Sequence, residues 1–423
     1  MTKKGSCPYC DENPVPHYIN WYFDSLNILF EKLQVVFLDN PLVRFLGRWE
    51  DDATLFLIGL LRLIGIVHFG KKPAKGTMGR ARVLWEEAEK RGFEMREVRI
   101  FDKNTDMYVV RKKIPGTRRK KIIIFSGVPR PKSANTANLS HIDDKSYFKK
   151  TCQKAGIPYA EGGCAFSLRE AYAIFDRLKK PVIVKPRLGS RGRHSLTYIN
   201  TREDLRRAYS IAKQLCLWVI VEEQLFGPVY RGTVINYKLE GVFAAKVPQI
   251  TGDGESTLIE LITEKNLTRL EGIAEVKISA KMAGFLVRQL ISNGILKISD
   301  GYQSWYTSLP KKGDKDIFEF IPSQDAIVYL SEKIGMDYGG ISGDEYDICH
   351  PDTLELFEKA GHIFDDTLLG FDLMIPDISR SWKDQKCGLL EANTAPFFNL
   401  HHDPFYGKPR NVAAKVWDMI DWK

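Results

Sequence analysis

The chain has 423 residues, enough for two or three domains with sizeable cores. It is 44% hydrophobic and 27% charged, a composition that excludes disordered and fibrous proteins. The formal net charge of +9 favours anionic partners such as nucleotides, acidic peptides or a membrane surface. Basic residues form only short runs, however, at residues 111–113 and 118–121, so nucleic-acid binding is not predicted.

Seven cysteines at irregular spacing, with no secretory signal, favour a reducing compartment, and we expect a cytoplasmic protein. Cys7 and Cys10 form a CxxC motif. This motif cannot complete a zinc site alone: His17 is a candidate third ligand, and the neighbouring sequence offers no evident fourth. A redox CxxC normally opens a helix after a strand, and no strand is predicted here. Neither a zinc nor a redox function is therefore predicted.

Residues 1–75 form a predicted helical N-terminal region, with aromatic and aliphatic residues at helical spacing from His17 to Leu46. Residues 53–70 are an apolar run of the minimum length for a membrane span, but Arg62 near its middle disfavours insertion. We expect a buried helical hairpin. The alternative is peripheral membrane contact through residues 18–75, because lysines follow the run.

Residues 76–139 are predicted to form a small α/β domain, and residues 140–423 the main domain. Segments 71–80 and 156–158 are predicted to be a linker and a turn. Helices are predicted at 81–91, 146–155, 167–178 and 202–215, and strands at 95–101, 107–111, 121–125, 182–185, 197–199, 218–223, 242–247, 370–374 and 388–393.

A polar glycine loop follows the strand that ends at Lys185, and a return strand follows the loop. Gly189 and Gly192 allow backbone N–H groups to approach phosphate oxygens, and Arg187 adds charge. The segment is neither a P-loop nor a dinucleotide fingerprint. A solvated basic hairpin tip is the alternative.

Two acids end the next strand, Glu222 and Glu223, where backbone groups can meet an adenine ring and a carboxylate a ribose. Lys246 is a candidate for neutralising a terminal phosphate. The alternative for each is a strand-edge charge.

Two strands near the C-terminus carry Asp372 on one and Glu391 and Asn393 on the other. Neighbouring strands lie roughly 5 Å apart, so these side chains can converge. Three oxygen donors of this kind suit Mg²⁺. The alternative is acids at strand ends that meet solvent.

Together these features resemble the ATP-grasp ligase family, most closely the ligase domain of cyanophycin synthetase and the glutathione-synthetase half of bifunctional enzymes. The resemblance covers residues 140–423 and implies an α/β fold whose two α/β subdomains grip ATP, after a small pre-ATP-grasp unit. Its specificity rests on the order and spacing of separate blocks. These are residues 143–146, 182–194, 221–231, 244–262, 347–352, 370–379, 391–393 and 401–413.

The resemblance also implies residues that bind ATP with Mg²⁺ or Mn²⁺ and join a carboxylate to an amine through an acyl phosphate. The resemblance implies that Lys145 and Lys185 contact ATP phosphates, and that Gly189, Ser190 and Gly192 form a mobile loop over the triphosphate. It also implies that the adenine–ribose edge is formed by Glu222, Glu223 and Leu225. By the same resemblance, Arg231 and Lys246 lie near the γ-phosphate or acyl phosphate, and the metal is bound by Asp372, Glu391 and Asn393.

Arg410 follows the two strands that carry Asp372 and Glu391, and its planar guanidinium group suits two-pronged binding of a substrate carboxylate. The alternative is an ion pair with an acid such as Asp403 or Asp418. We expect amino-acid or peptide substrates, no nucleic-acid partner, and leave open a homo-oligomer.

Three departures from the family pattern qualify these expectations. Val229 stands where relatives often carry an acid for the ribose, Phe397 stands where they have glycine, and residues 313–337 resemble an insertion. The second half of cyanophycin synthetase, with its own P-loop, is not recognised here, so cyanophycin synthesis is not expected. An ATP-binding scaffold that has lost ligation is the alternative function.

Overall fold

The computed structural model has a mixed α/β fold, as predicted, with antiparallel pairing in its sheets. Ser190, predicted to bind ATP, lies outside the described residues. The structure describes residues 7, 9–10, 16–38, 50–114, 116–134, 139–189, 192–306, 308–311 and 313–422.

Among the described residues, the helices α1 (His17–Leu38) and α2 (Glu50–Leu63) precede the first sheet, which confirms the helical prediction for those residues. α2 packs a narrow stripe centred on Ile58 against that sheet. Phe56 and Leu63 are 76% and 84% exposed, so the expected buried hairpin is wrong for α2, because among the described residues the sheet covers only one face of the helix. In the described ranges, no helix is long and apolar enough to cross a membrane.

A small α/β unit follows, in which α3 buries Leu84 and Trp85 against an antiparallel sheet of order β1-β2-β3-β4. The helix and strands predicted between residues 81 and 125 are confirmed. β1 also belongs to this sheet, although it precedes the predicted domain boundary at residue 76. The elements are β1 (Val67–Gly70), α3 (Gly79–Lys90), β2 (Glu94–Ile100), β3 (Lys103–Lys113) and β4 (Lys120–Ser126).

The next unit is a sheet of order β5-β8-β6-β7, covered on one face by α6 and α7. Local sequence sets the helix starts: Ser167 and Glu170 form a capping box before α6, and Thr201 caps α7. The elements are α4 (Leu139–Ile142), α5 (Lys145–Ala155), β5 (Gly162–Ala165), α6 (Leu168–Arg177), β6 (Val182–Pro186), β7 (Leu196–Ile199), α7 (Arg202–Ala212) and β8 (Val219–Glu223).

The remaining chain builds a sheet of order β13-β10-β9-β14-β15 and a helical segment before β13. Phe357 of α10 and Phe371 of β14 lie in the core of this sheet, whereas Val328 of β12 packs with α8 and α9. The elements are β9 (Val229–Ile235), β10 (Lys238–Ala245), β11 (Gln249–Thr251), α8 (Leu258–Leu267), α9 (Ala280–Ser292), β12 (Ile327–Tyr329), β13 (Ser342–Asp344), α10 (Pro351–Phe364), β14 (Leu368–Met374) and β15 (Gly388–Asn393).

The last helix, α11 (Val412–Met419), returns to the small unit near the start of the chain. Trp417 is buried in the same core as Leu84, and its Nε1 donates a hydrogen bond to the Leu84 carbonyl at 2.9 Å. Arg91 Nη1 and Asp418 Oδ1 add an ion pair of 2.7 Å. The small unit and the C-terminal helix thus share one core.

Candidate active site

Charged side chains meet between the sheet of order β5-β8-β6-β7 and the sheet of order β13-β10-β9-β14-β15. Lys145, at the start of α5, and Lys185, on β6, come from one side, and Arg231, on β9, comes from the other. Burial by itself raises the pKa of Glu391, on β15, but these three cations outweigh it, so its pKa lies below the ordinary value. This convergence places cations from both sheets around one acid.

Asp372 and Glu391 lie opposite each other on β14 and β15, as the sequence predicts for neighbouring strands. Asn393 follows two residues after Glu391, so its side chain projects from the same face of the sheet. Burial raises the pKa of Asp372, and Glu391 adds to the rise, although Arg231 acts in the opposite direction. Arg231 grips Asp372 through both oxygens, at 2.7 and 2.8 Å.

This donor set fits a Mg²⁺ ion by its chemistry. The two opposed carboxylates are hard oxygen ligands that repel each other, and a divalent cation relieves that repulsion. Asn393 Nδ2 is buried beside Glu391, so the Asn393 amide lies next to the carboxylate pair. The ligand assignment of Asp372, Glu391 and Asn393 stays a prediction.

Glu222 is only 1% exposed and lies between the buried Lys149 and the partly buried Lys185. Its carboxylate oxygens are 2.5 Å from Nζ of Lys149 and 2.5 Å from Nζ of Lys185. Sequence analysis missed Lys149, although it lies four residues after Lys145 on α5 and therefore on the same helix face. Burial lowers the pKa of Lys145, whose Nζ donates to the Gly189 carbonyl at 2.8 Å.

Glu223 is the neighbour of Glu222 on β8, so its side chain projects from the opposite face of that strand. It forms an ion pair with Lys386 and accepts a hydrogen bond from the Glu161 backbone N–H at 3.3 Å. Leu225 and Val229 are both buried just beyond this edge. The adenine–ribose role of the segment stays a prediction.

Two glycines of the loop between β6 and β7, Gly189 and Gly192, lie among the described residues. Gly189 and Gly192 have φ of +125° and +60°, conformations that L side chains rarely adopt. Arg187, before the loop, donates from Nε to the two Asp144 oxygens at 3.0 and 2.9 Å. Asp144 also caps α5, so the loop and the helix that carries Lys145 are tied together.

The two cations predicted farther along the cleft already contact acids. Lys246 Nζ lies 3.2 Å from Glu345 Oε1. Arg410 contacts Asp344 through a two-pronged ion pair at 2.6 and 3.0 Å, and Asp347 at 2.7 Å. Pairing of Arg410 with an acid was the alternative to substrate binding, although neither acid is one of the two examples considered. The substrate role stays a prediction.

A second polar cluster lies where the glycine loop meets the N-terminal segment. The ligand atoms of Cys7, Cys10, His17 and His194 all lie within 4.8 Å of one another. The neighbouring sequence offers no evident fourth ligand for the CxxC motif and His17, and the fold supplies a candidate, His194, from a distant part of the sequence.

A cleft that carries lysines on one sheet and opposed acids on the other is the arrangement implied by the ATP-grasp resemblance. No protein-family model matches the chain. Cyanophycin synthetase of Geminocystis herdmanii (strain PCC 6308) is 32% identical over 280 residues, which are 66% of this chain and 30% of that protein. The bifunctional glutathione biosynthesis protein GshAB of Clostridium perfringens is 26% identical over 288 residues, 66% of this chain and 34% of that one.

The predicted resemblance to ATP-grasp ligases is therefore confirmed, and the relatives are cyanophycin synthetases and GshAB proteins. The chain spans about 30% of the length of the cyanophycin synthetases that it matches. Among solved structures, a bifunctional glutathione synthetase from Pasteurella multocida superposes with a TM-score of 0.48 at 22% identity, over 80% of this chain and 43% of that one.

Proposed function

We propose that this protein is a Mg-ATP-dependent ligase that joins a carboxylate to an amine through an acyl-phosphate intermediate. The observation that carries the proposal is the meeting of Lys145, Lys185 and Arg231 around the Asp372–Glu391 pair. Such a cleft suits phosphoryl transfer, which depends on positioning and on neutralisation of charge. Similarity to cyanophycin synthetases and GshAB supports the same class.

Asp372, Glu391 and Asn393 are the residues that would hold Mg²⁺. Bound there, the ion would neutralise charge on the triphosphate and on the transferred phosphoryl group. Arg231 orients Asp372 through its two hydrogen bonds, and its charge opposes the rise that burial causes in the pKa of that carboxyl. Because Lys145 and Lys185 add positive charge nearby, the metal is expected to bind together with the nucleotide rather than alone.

The first step transfers the γ-phosphoryl group of ATP to an oxygen of the substrate carboxylate, and ADP leaves. Lys145 and Lys185 bind the phosphate oxygens, and Glu222 and Lys149 hold Lys185 in place through the buried ion-pair cluster. Arg231 and Lys246 balance the charge that develops on the acyl phosphate.

In the second step, the amine nitrogen attacks the acyl carbon, the C–O bond to phosphate breaks, and the nitrogen loses a proton. No protein nucleophile is required. The loop that contains Gly189 and Gly192 closes over the phosphates and keeps water from hydrolysing the acyl phosphate.

Amino acids or peptides are the proposed substrates, since the relatives include a protein of glutathione biosynthesis and cyanophycin synthetase. We place the protein in the cytoplasm, where its seven free cysteines stay reduced.

The test is ADP release from Mg-ATP with pooled amino acids and dipeptides, followed by mass spectrometry of the product. A ligase gives ADP release that depends on both a carboxylate and an amine, and an amide product. Glu391→Gln is the inactive control. A protein that is stabilised by nucleotide but shows no turnover in any pool would overturn the ligase and favour the ATP-binding scaffold.

Two observations keep that scaffold as the second candidate. Val229 is buried at the start of β9, where an acid for the ribose is absent. Phe397 follows β15, and the Arg80 guanidinium lies 5.3 Å from the centroid of the Phe397 ring. An aromatic residue there narrows the space for an acceptor.

A further inference from the structure

The CxxC motif and two distant histidines form a cluster that the ligase proposal does not use. His194 Nε2 lies 3.4 Å from Cys7 Sγ and 3.4 Å from Cys10 Sγ, and His17 Nε2 lies 3.1 Å from Cys10 Sγ. The His17 and His194 rings lie edge to face, with centroids 4.7 Å apart. Two sulfurs and two nitrogens therefore surround one point.

These separations match the edges of a tetrahedral metal site. With Zn–S of about 2.3 Å and Zn–N of about 2.05 Å, tetrahedral ligands place sulfur and nitrogen about 3.5 Å apart. Three sulfur–nitrogen separations, at 3.1–3.4 Å, are slightly shorter than this value, and all four ligand atoms lie within 4.8 Å of one another. Two thiolates and two imidazoles in a tetrahedron are a donor set typical of zinc.

The surroundings also prepare His194 for metal binding. The residue is fully buried, and its Nδ1 lies 2.7 Å from the Ile211 carbonyl oxygen. A carbonyl only accepts, so Nδ1 carries the proton and the lone pair of Nε2 points at the cysteines. The His194 backbone N–H donates to the Tyr9 carbonyl at 3.1 Å, which ties both segments together beside the cluster.

We propose that Cys7, Cys10, His17 and His194 bind one Zn²⁺ ion in a structural site. Four protein ligands leave no open coordination position, so the ion has no catalytic role. The site joins the N-terminal segment, including the first turn of α1, to the end of the glycine loop, two residues after Gly192. The metal thus anchors the loop at this end, while Gly189 lies at the other end.

The experiment measures metal content by mass spectrometry of the elements, on protein purified under reducing conditions with any tag removed. The expected result is one zinc per chain. Loss of a ligand should weaken zinc binding at least as much as loss of an outer hydrogen-bond partner, about 10–100-fold, so Cys10→Ser and His17→Gln should lose the metal. Cys164→Ser is the matched control, because that thiol lies outside the cluster and should leave zinc content unchanged.

Wild-type protein provides a second test that needs no variant. After removal of the metal, Co²⁺ should bind once per chain with the visible absorption of a tetrahedral site and a sulfur-to-metal charge-transfer band. Chelation should speed amide exchange at His194. A wild-type protein that contains iron, forms a Cys7–Cys10 disulfide under reducing conditions, or binds neither Zn²⁺ nor Co²⁺ would overturn the proposal. All these measurements are independent of ligase activity.

Discussion

Replacing Glu222 by glutamine tests whether this carboxylate partners the buried lysines or contacts the nucleotide. Glutamine keeps the volume but leaves Lys149 and Lys185 without the anion that lies 2.5 Å from each. Removing one partner of a buried ion pair costs about 3–5 kcal/mol. Since 1 kcal/mol lowers Tm by about 2–4 °C in a unit of 150–250 residues, we expect Tm to fall by about 6–20 °C.

Thermal unfolding followed by circular dichroism at pH 7 measures this change. The matched control is the double variant Lys149→Met, Glu222→Gln, which removes one pair of opposite charges together and should recover part of the lost Tm, because Lys185 alone then lacks its anion. If Glu222→Gln leaves Tm unchanged and raises KM for ATP, the reasoning is refuted and Glu222 returns to the adenine–ribose edge.

The same cluster predicts a pH dependence. Burial raises the pKa of Glu222, but Lys149 and Lys185 outweigh it, so the folded-state pKa lies below the ordinary value. The resulting stability is fully present above the unfolded pKa, about 4.3, and is lost as pH falls through the folded pKa. As pH falls from about 4.3 through the folded-state pKa, Tm of the wild type should fall more steeply than Tm of Glu222→Gln. Parallel curves would contradict the assignment.

Three further predictions concern the cleft. Glu391→Gln should lower turnover by about 10²–10³-fold and leave Tm nearly unchanged. Asp372→Asn should lower Tm as well, because it leaves Arg231 without its ion-pair partner. Full activity in both variants would show that neither Asp372 nor Glu391 binds the metal. Gly189→Val should reduce turnover more than Tm, because φ of +125° strains valine while no atom of the described residues lies within 4 Å of the added Cβ. Arg410→Lys should lower Tm and leave KM for the substrates unchanged, since the Arg410 guanidinium forms ion pairs with acids of the protein. A raised KM for the amine or the carboxylate substrate at unchanged Tm would instead support the substrate role of Arg410.

Local patterns predicted most of the main domain. The helix at Lys145–Ala155 and the strand at Val182–Pro186 follow from apolar periodicity and from the proline and glycine residues that end them. The cross-strand meeting of Asp372 and Glu391 also follows, because the two strands are consecutive in the chain and pair in an antiparallel ladder.

Sequence alone did not predict which side chains a distant element brings together. Glu222 and Glu223 both end one strand, and only packing decides which of them faces Lys149. His194 is separated from Cys10 by 184 residues, so no local spacing rule connects it to the CxxC motif. For α2, the apolar composition predicted a buried helix, but in the described residues only one face of the helix packs against the first sheet.

Because α3 and α11 share one core, this core is completed only after the ribosome has synthesised both helices. Leu84 and Trp417, which meet there, are 333 residues apart. At 5–20 residues per second, the ribosome takes roughly 17–67 s to cover that distance. During this interval the small unit exposes the apolar face that Trp417 later covers, so a nascent chain offers chaperones a binding surface that the finished protein lacks.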